Sequence, residues 1–396
     1  MRSKRYGAAL DIGTSRIEGF LVDLDSRKTV AFVSLPNRQL VYGSDVISRL
    51  NVALNARHGL KRLHASFTET VDDALGSLIS RSEVSTHLIR EIMCVGNAAL
   101  FHLAYSLSPD RLARAPFESS APRRMPRKRA KDIGITVCPD ARFEFLGGLG
   151  GFVGSDALAV IIATGIYASG VVQLVIDLGS NGEVIMGHKK RMLVASTSAG
   201  PAFEGWRIRC GMPAVRGAIE SVTRRGDRDL QFRTIGNVRP RGLCGSALID
   251  IMKYLLDTRR LDATGRLTSG RYRIAGSLYI TQEDIRELQL AKAAIQAAIA
   301  LLRKKFRQDI ADVFITGRFG SRLSAKNAQA IGIIPADIDL RRVHFLDHGA
   351  AEGARAIMCS AKISHIARRI SRKIVHVKLH GEHDFQDAFV SAMSFR

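Results

Sequence analysis

One unit occurs twice in this chain and limits the folds open to it. An apolar strand ends on an aspartate, a turn of small residues follows, and two more apolar strands come after it. In the first copy "YGAALDIG" ends on Asp11, Gly13-Thr14-Ser15 form the turn, and "IEGFLVDLD" and "TVAFVSLP" are the next strands. In the second copy "VVQLVIDLG" ends on Asp177, Gly179-Ser180-Asn181-Gly182 form the turn, and "EVIMGH" and "MLVASTS" come next. Either turn alone is explained by hairpin geometry, which places Gly and Asn where φ is positive. The same turn at the same place in two successive series of elements signals internal duplication. It also admits a chemical reading, in which turn N–H groups hold phosphate and the carboxylate holds a hydrated cation.

The elements after each turn are also repeated. Helical patterns at 44–56 and 66–81, a strand at 89–95 and a helix from Asn97 to about Tyr105 complete the first series. The second has a helix at 282–306, a strand "DVFITG", a helix near 324–331, a strand "VHFLD" and a helix at 350–360. Thr281 and Asp284 have the spacing of a capping box for the long helix. The expected architecture is therefore α/β, in two duplicated halves with a nucleotide cleft between them. The first half spans 1–150, with a basic crossover at about 117–140. The second spans 151–396, with an inserted segment at about 200–280. Asp156 opens a helix in "FVGSDALAV", where Ser155 is the expected N-cap. Stabilising that helix end is one role for Asp156; polarising an attacking water is the other. Glu204, after Gly200-Pro201, either caps a helix or senses the nucleotide.

Bulk properties narrow the function classes. With 46% hydrophobic and 24% charged residues, the 396-residue chain has the make-up of a globular protein. Its five cysteines (Cys94, Cys138, Cys210, Cys244, Cys359) show no C-x-x-C spacing. This points to buried thiols in a cytoplasmic protein and away from a zinc site, an iron–sulfur cluster or a disulfide framework. Residues 158–176 are apolar enough to suggest a membrane span, but Gly165, Ser169 and Gly170 interrupt them, so they read as helix, turn and strand. The net charge of +22 suggests nucleic acid. Helix-turn-helix, zinc-finger and aromatic RNA-platform signatures are missing, and the dense patch "PRRMPRKRAK" at 122–131 has no aromatic residue among its basic ones. A generally basic surface in a basic proteome, or one that meets an acidic protein, fits better than nucleic acid. The histidines in helical stretches (His58, His64, His87, His102) lack ligand spacing and read as satisfied or exposed.

Asp11-x-Gly13-Thr14 and Asp177-x-Gly179-Ser180 resemble the two phosphate loops of the acetate and sugar kinase, heat-shock chaperone and actin superfamily. A set of longer strings is more specific. "YGSDVISRL" (42–50), "VGNAALFHL" (95–103), "LARAPF" (112–117), "SAGPAFEGWRIRCGMPAVRGAI" (198–219), "GLCGSALID" (242–250), "ITQEDIRELQLAKAAI" (280–295) and "HDFQDAFVSAMSF" (383–395) are similar to the ATPase domain of the reductive activators of corrinoid-dependent enzymes. The resemblance implies an actin-like ATPase fold of two ribonuclease-H-like halves. It implies ATP and Mg as cofactors, and an ATP-driven reduction of cob(II)amide to cob(I)amide on a corrinoid protein or corrinoid-dependent methyltransferase. Matched by motif, Gly13, Thr14 and Ser15 form the first ATP-binding loop, and Gly179, Ser180, Asn181 and Gly182 the second. Gly317, Arg318 and Gly320 lie near adenosine. Asp11 and Asp177 hold Mg through water, and with Asp156 they are the catalytic carboxylates.

Two departures shape the expectation. Relatives usually carry the electron on an iron–sulfur cluster in an N-terminal ferredoxin-like domain. This sequence begins within the ATPase part of that layout and has no cluster spacing, so the donor is expected to be a separate ferredoxin-like chain. In "ITGRFGS", Arg318 replaces a usual Gly and can either stack on adenine or obstruct it; His348 likewise stands where Asn is common. A homodimer is admitted. The other reading is a non-redox ATP-binding or protein-binding module of the same fold, a degenerate member of the family.

Overall fold

The computed structural model of the protein describes residues 4–115, 117–119, 125–179, 181–225, 229–317 and 323–395; of the expected site, Ser180, Arg318 and Gly320 lie outside the described residues. From the N-terminus the chain forms β1 (Tyr6–Ile12), β2 (Arg16–Asp23), β3 (Thr29–Pro36), α1 (Val46–Asn55), α2 (Gly59–Ser82), β4 (Ile89–Gly96), α3 (Ala98–Ala104), α4 (Asp110–Ala113), β5 (Lys128–Arg129), β6 (Arg142–Phe145) and α5 (Ser155–Thr164). It continues through β7 (Gln173–Leu178), β8 (Gly182–His188), β9 (Arg191–Thr197), β10 (Ala218–Arg225), β11 (Asp229–Thr234), β12 (Gly242–Leu243), α6 (Gly245–Asp257), β13 (Arg271–Ala275), β14 (Leu278–Thr281) and α7 (Gln282–Phe306). The remainder is β15 (Asp312–Gly317), α8 (Ala325–Ala330), β16 (Val343–Leu346), α9 (Gly349–Cys359), α10 (Ala361–Ser371), β17 (Val375–His376) and α11 (His383–Ser391).

The contacts divide the chain into two compact units. One comprises Met1–Ala168, Lys189–Met192 and His348–His376; the other comprises Ser169–His188, Leu193–Asp347 and Val377–Arg396. The duplication is visible in their sheets. The first runs β3-β2-β1-β4-β6, with β5 at its edge, and the second runs β9-β8-β7-β15-β16. In both, an antiparallel hairpin (β1–β2, β7–β8) is followed on its other side by two parallel neighbours (β4 and β6, β15 and β16). This is the actin-like ATPase fold.

In the first unit, period-two alternation along β1 divides its side chains between two helical layers. Ala8, Leu10 and Ile12 join the cluster with Phe67, Val71 and Leu75 of α2. Gly7 lies on the opposite face, where a Cβ would sit 2.8 Å from the sulfur of Met358 in α9. Asp11 shares that second face by alternation. The α5–α9 packing needs a glycine, because a Cβ on Gly353 would lie 1.9 Å from the Ala159 carbonyl oxygen.

In the second unit, Leu174, Ile176 and Leu178 of β7 pack with Leu288, Ile295 and Ile299 of α7. The inserted stretch contributes a three-stranded sheet (β11-β10-β12), α6 and the β13–β14 hairpin, and its Ile219, Val222 and Leu248 share the same core. The Thr281–Asp284 capping box opens α7 as the spacing predicts. Farther along that helix, fully buried Lys292 donates from Nζ to the carbonyls of Ala392 (2.6 Å) and Ser394 (2.8 Å). The strings 280–295 and 383–395 are thus two sides of one contact, in which a cation meets carbonyls at the C-terminal end of α11.

Ser155 is corrected by the structure. It is the first helical residue of α5, and Gly154 takes the cap position. The reason is that its hydroxyl sits 3.3 Å from both the N and the O of Gly96, which ties α5 to the end of β4. Residues 158–176 are helix, turn and strand as expected, and among the described residues no helix is long and apolar enough to cross a membrane.

Candidate functional site

In both sheets the expected residues lie at the carboxyl ends of parallel strands, where open α/β sheets bind ligands. Asp11 ends β1 beside Val95 of β4, and the Gly13–Ser15 turn follows. A Cβ on Gly13 would sit 2.8 Å from the Arg16 carbonyl oxygen, so the turn requires glycine for close approach.

Two side chains that the sequence reading missed hold this turn. Asn37, 1% exposed, donates from Nδ2 to Gly13 O (2.8 Å), and its backbone N–H donates to Ser15 O (2.9 Å). Arg49, 2% exposed, donates from its guanidinium to Thr14 O and, at 3.0 Å, to Gly43 O. Burial lowers the Arg49 pKa to about 10, which still leaves it a cation at neutral pH. All three turn carbonyls therefore point to internal donors. These anchors hold the backbone of the turn in one conformation.

Asn97 gathers the rest of this unit's site. It caps α3 through Leu100 N–H (3.1 Å), and its Nδ2 lies 3.4 Å from Thr14 Oγ1. A Cβ on Gly154 would be 2.0 Å from Gly96 O and 2.3 Å from Asn97 Cα, so the loop before α5 presses directly on the end of β4. Asp156 follows and accepts from Ala157 N–H at 2.8 Å. The structure thus brings Thr14 and the loop that leads into Asp156 to the same residue, Asn97. Asp156 keeps some accessible surface but is enclosed on most sides. Burial raises its pKa from 3.8 to about 6, against the lowering effect of backbone N–H donors.

The raised pKa has a consequence for stability. Between pH 4 and 6 the folded chain holds this proton more tightly than the unfolded chain, so the Asp156 contribution to stability falls as pH rises and is least favourable above 6. Asp156→Asn should lower turnover yet raise Tm at pH 7.5, by about 2–4 °C for each kcal/mol relieved in a unit of this size. The gain should shrink towards pH 4. Thermal melts of both proteins across that range check it, and a gain that ignores pH would contradict the assigned ionisation.

In the second unit Asp177 pairs in register with Thr316 of β15, and Gly317 with Leu178. Gly317 has φ +107°, and a Cβ there would meet Leu178 O at 2.5 Å, so the end of β15 lies tightly against the start of the second turn. Gly179, Asn181 and Gly182 form the described part of that turn.

A further pair of acids emerges only from strand register. Asp11 lies opposite Glu18 and Asp177 opposite Glu183, which puts each pair on one face of its hairpin. The third strand adds a serine in both copies. Ser34 Oγ donates to Glu18 (3.3 Å), and Ser196 Oγ donates to Glu183 (3.2 Å). The sequence signal was present as a Glu six or seven residues after each Asp. The copies diverge at His348, which caps α9 with φ +55°, places Nδ1 2.7 Å from Glu18 Oε2 and packs 4.5 Å from the Phe32 ring.

Other candidates are structural. His102, fully buried, joins Ser108 O (3.0 Å) and Ser119 Oγ (2.9 Å), and His64 meets Leu103 O (2.9 Å). Trp206 is 41% exposed, so it is not a core residue. Glu204 is buried at the end of a short 3-10 turn. Among the described residues no group of three or more His, Cys, Asp or Glu converges as a metal centre.

Comparison with known proteins agrees with this geometry. Residues 171–396 match the family model described as the C-terminal, ASKHA domain of RACo, and residues 6–169 match the RACo middle region. The chain is 30% identical over 421 aligned positions to the corrinoid activation enzyme RamQ of Eubacterium limosum, covering 98% of this chain and 70% of that protein. It is 24% identical to the [Co(II) methylated amine-specific corrinoid protein] reductase of Methanosarcina barkeri, covering 98% and 77%. A solved reductive activator for corrinoid, iron–sulfur protein superposes with a TM-score of 0.92 at 30% identity, over 100% of this chain and 67% of that one. The carboxylate-ended hairpins, their repeated topology and these matches lead to one assignment: the chain belongs to the family of corrinoid reductive activators that carry an ASKHA-type ATPase domain.

Proposed function

We propose that the protein binds and hydrolyses Mg-ATP to drive reduction of cob(II)amide to cob(I)amide on a corrinoid protein. The observation that carries this reading is the twofold Asp-x-Gly turn at equivalent strand ends, one copy with all its carbonyls anchored inward. The residues present fit the ligand: the carboxylate at each strand end is an oxygen donor of the kind a hard cation takes, and a glycine turn lets the backbone approach a phosphate closely. Asp11 and Asp177 would hold the cation through water. Gly13, Thr14 and Ser15, and Gly179, Ser180, Asn181 and Gly182, would hold the phosphates; Gly317, Arg318 and Gly320 would adjoin adenosine. Bound Mg supplies charge neutralisation at the transferring phosphoryl group.

The chain's own residues do the rest. Asn37 and Arg49 fix the first turn, so its donors need no reorganisation at the moment of reaction. Asp156, with a pKa near 6, is poised to take a proton from water near neutral pH. For the electron, we assign an iron–sulfur donor outside these residues. No two of the five cysteines have cluster spacing, and burial pushes the thiols of Cys94 and Cys138 up, the latter to about 11, which disfavours the thiolates a cluster needs. The related proteins named above support a corrinoid protein as the partner. The test is ATP hydrolysis by the purified chain with and without a cob(II)amide-loaded corrinoid protein. Stimulation by the loaded protein is expected. Absence of any hydrolysis in both arms would favour the non-redox module of the same fold.

A further inference from the structure

We propose that the outward face of α10 docks a carboxylate-rich protein surface. The sequence first marks the place. Residues 353–381 contain seven Lys or Arg and no Asp or Glu, the longest stretch of the chain without an acid. Within it, α10 turns its apolar side inward: Ala367 and Ile370 are buried, and the helix packs on α9 and α5. Turned outward are Lys362, His365, Arg369, Arg372 and Lys373, with Arg368 beside them half-buried. Steps of three and four residues from Lys362 to Arg372 make these one continuous stripe.

Ordinary explanations cover only part of it. Cations in the last turn suit a helix C-terminus, which accounts for Arg368 and Arg369. Lys362 is in the first turn, where the dipole disfavours it. Some arginines elsewhere on the described surface carry acidic partners, as in Arg38 with Asp73, Arg142 with Glu91 and Arg341 with Asp339, and others, such as Arg57 and Arg239, stand singly; what sets the α10 face apart is that its cations are contiguous. Among the described residues, the six side chains of the α10 face have no carboxylate within ion-pair distance, and their i,i+4 neighbours (Arg368 with Arg372, Arg369 with Lys373) repel one another. A carboxylate-rich partner removes that repulsion. A membrane is disfavoured because the apolar side of the helix is already buried, whereas a surface-lying helix must insert it. Single-stranded nucleic acid is disfavoured because residues 360–381 include no Phe, Tyr or Trp to stack on bases, and duplex DNA is an outcome of the test below.

Docking at this face does not depend on ATP chemistry, so it can succeed even where hydrolysis or reduction fails. The test uses the full chain and three probes: an acidic two-cluster ferredoxin, a 20-base-pair DNA duplex and phosphatidylglycerol vesicles. Arg369→Glu/Arg372→Glu/Lys373→Glu is compared with Arg57→Glu/Lys61→Glu/Arg239→Glu, which changes net charge equally at exposed sites elsewhere. The first triple should weaken ferredoxin binding at least tenfold at low salt and the second less than threefold, with the difference fading as salt rises. A Gln version of the first triple should show a smaller loss in the same direction, and it replaces the Glu version if that one fails to fold. Equal losses from both Glu triples, or loss of DNA or vesicle binding with ferredoxin binding untouched, would overturn the proposal.

Discussion

Asp177→Asn is expected to leave the fold intact and remove most ATP hydrolysis. The side chain ends β7, where register places it opposite Glu183 and beside Thr316, so an isosteric amide fits the same space. What it loses is a full negative charge facing the hydrated cation we assign there. Removing one preorganised electrostatic contact costs on the order of 10²-fold or more in rate. Nucleotide affinity should fall less than turnover, because the turn donors we assign to phosphate are backbone groups. Steady-state hydrolysis and calorimetric titration with Mg-ATP separate the two. Wild-type turnover in the variant would refute the assignment of Asp177.

Cob(I)amide formation should be all-or-none with respect to a separate iron–sulfur protein. A chain of these 396 residues, in which no two cysteines have cluster spacing, should purify colourless and free of iron. With ATP and a chemical reductant but no donor, a corrinoid protein should stay as cob(II)amide; adding a ferredoxin should start ATP-dependent reduction. The chain carries +22 and ferredoxin-type donors are commonly acidic, so encounter with such a donor should be electrostatically steered. Exposed charges are screened beyond roughly 8 Å at physiological ionic strength, and the rate should fall steeply across a salt series. Anaerobic spectroscopy follows the reaction. Reduction without the ferredoxin would place an electron carrier in this chain after all; no reduction with it, and no binding of a corrinoid protein, would leave the non-redox module as the better account.

Local pattern was enough to determine part of this protein. Strands ending in Asp11 and Asp177, the turns after them and the α7 capping box are all encoded within a few residues of themselves, by alternation, by small residues at tight turns and by the reach of one side chain to the next turn of helix. The duplication was legible for the same reason: a repeated local pattern folds into a repeated local shape. Other features needed the tertiary structure. Asn37 and Arg49 are 24 and 35 residues from the carbonyls they hold, and nothing near either one announces that contact. Glu18 and Glu183 became partners of the two aspartates only once strand register was set, because a one-residue slip would turn them to the other face. Ser155 read as a cap until the end of β4 came close enough to take its hydroxyl. Asp156 could be read as a helix-end acid from its neighbours, but its raised pKa comes from desolvation by residues distant in sequence, and burial is a property of the packed chain alone.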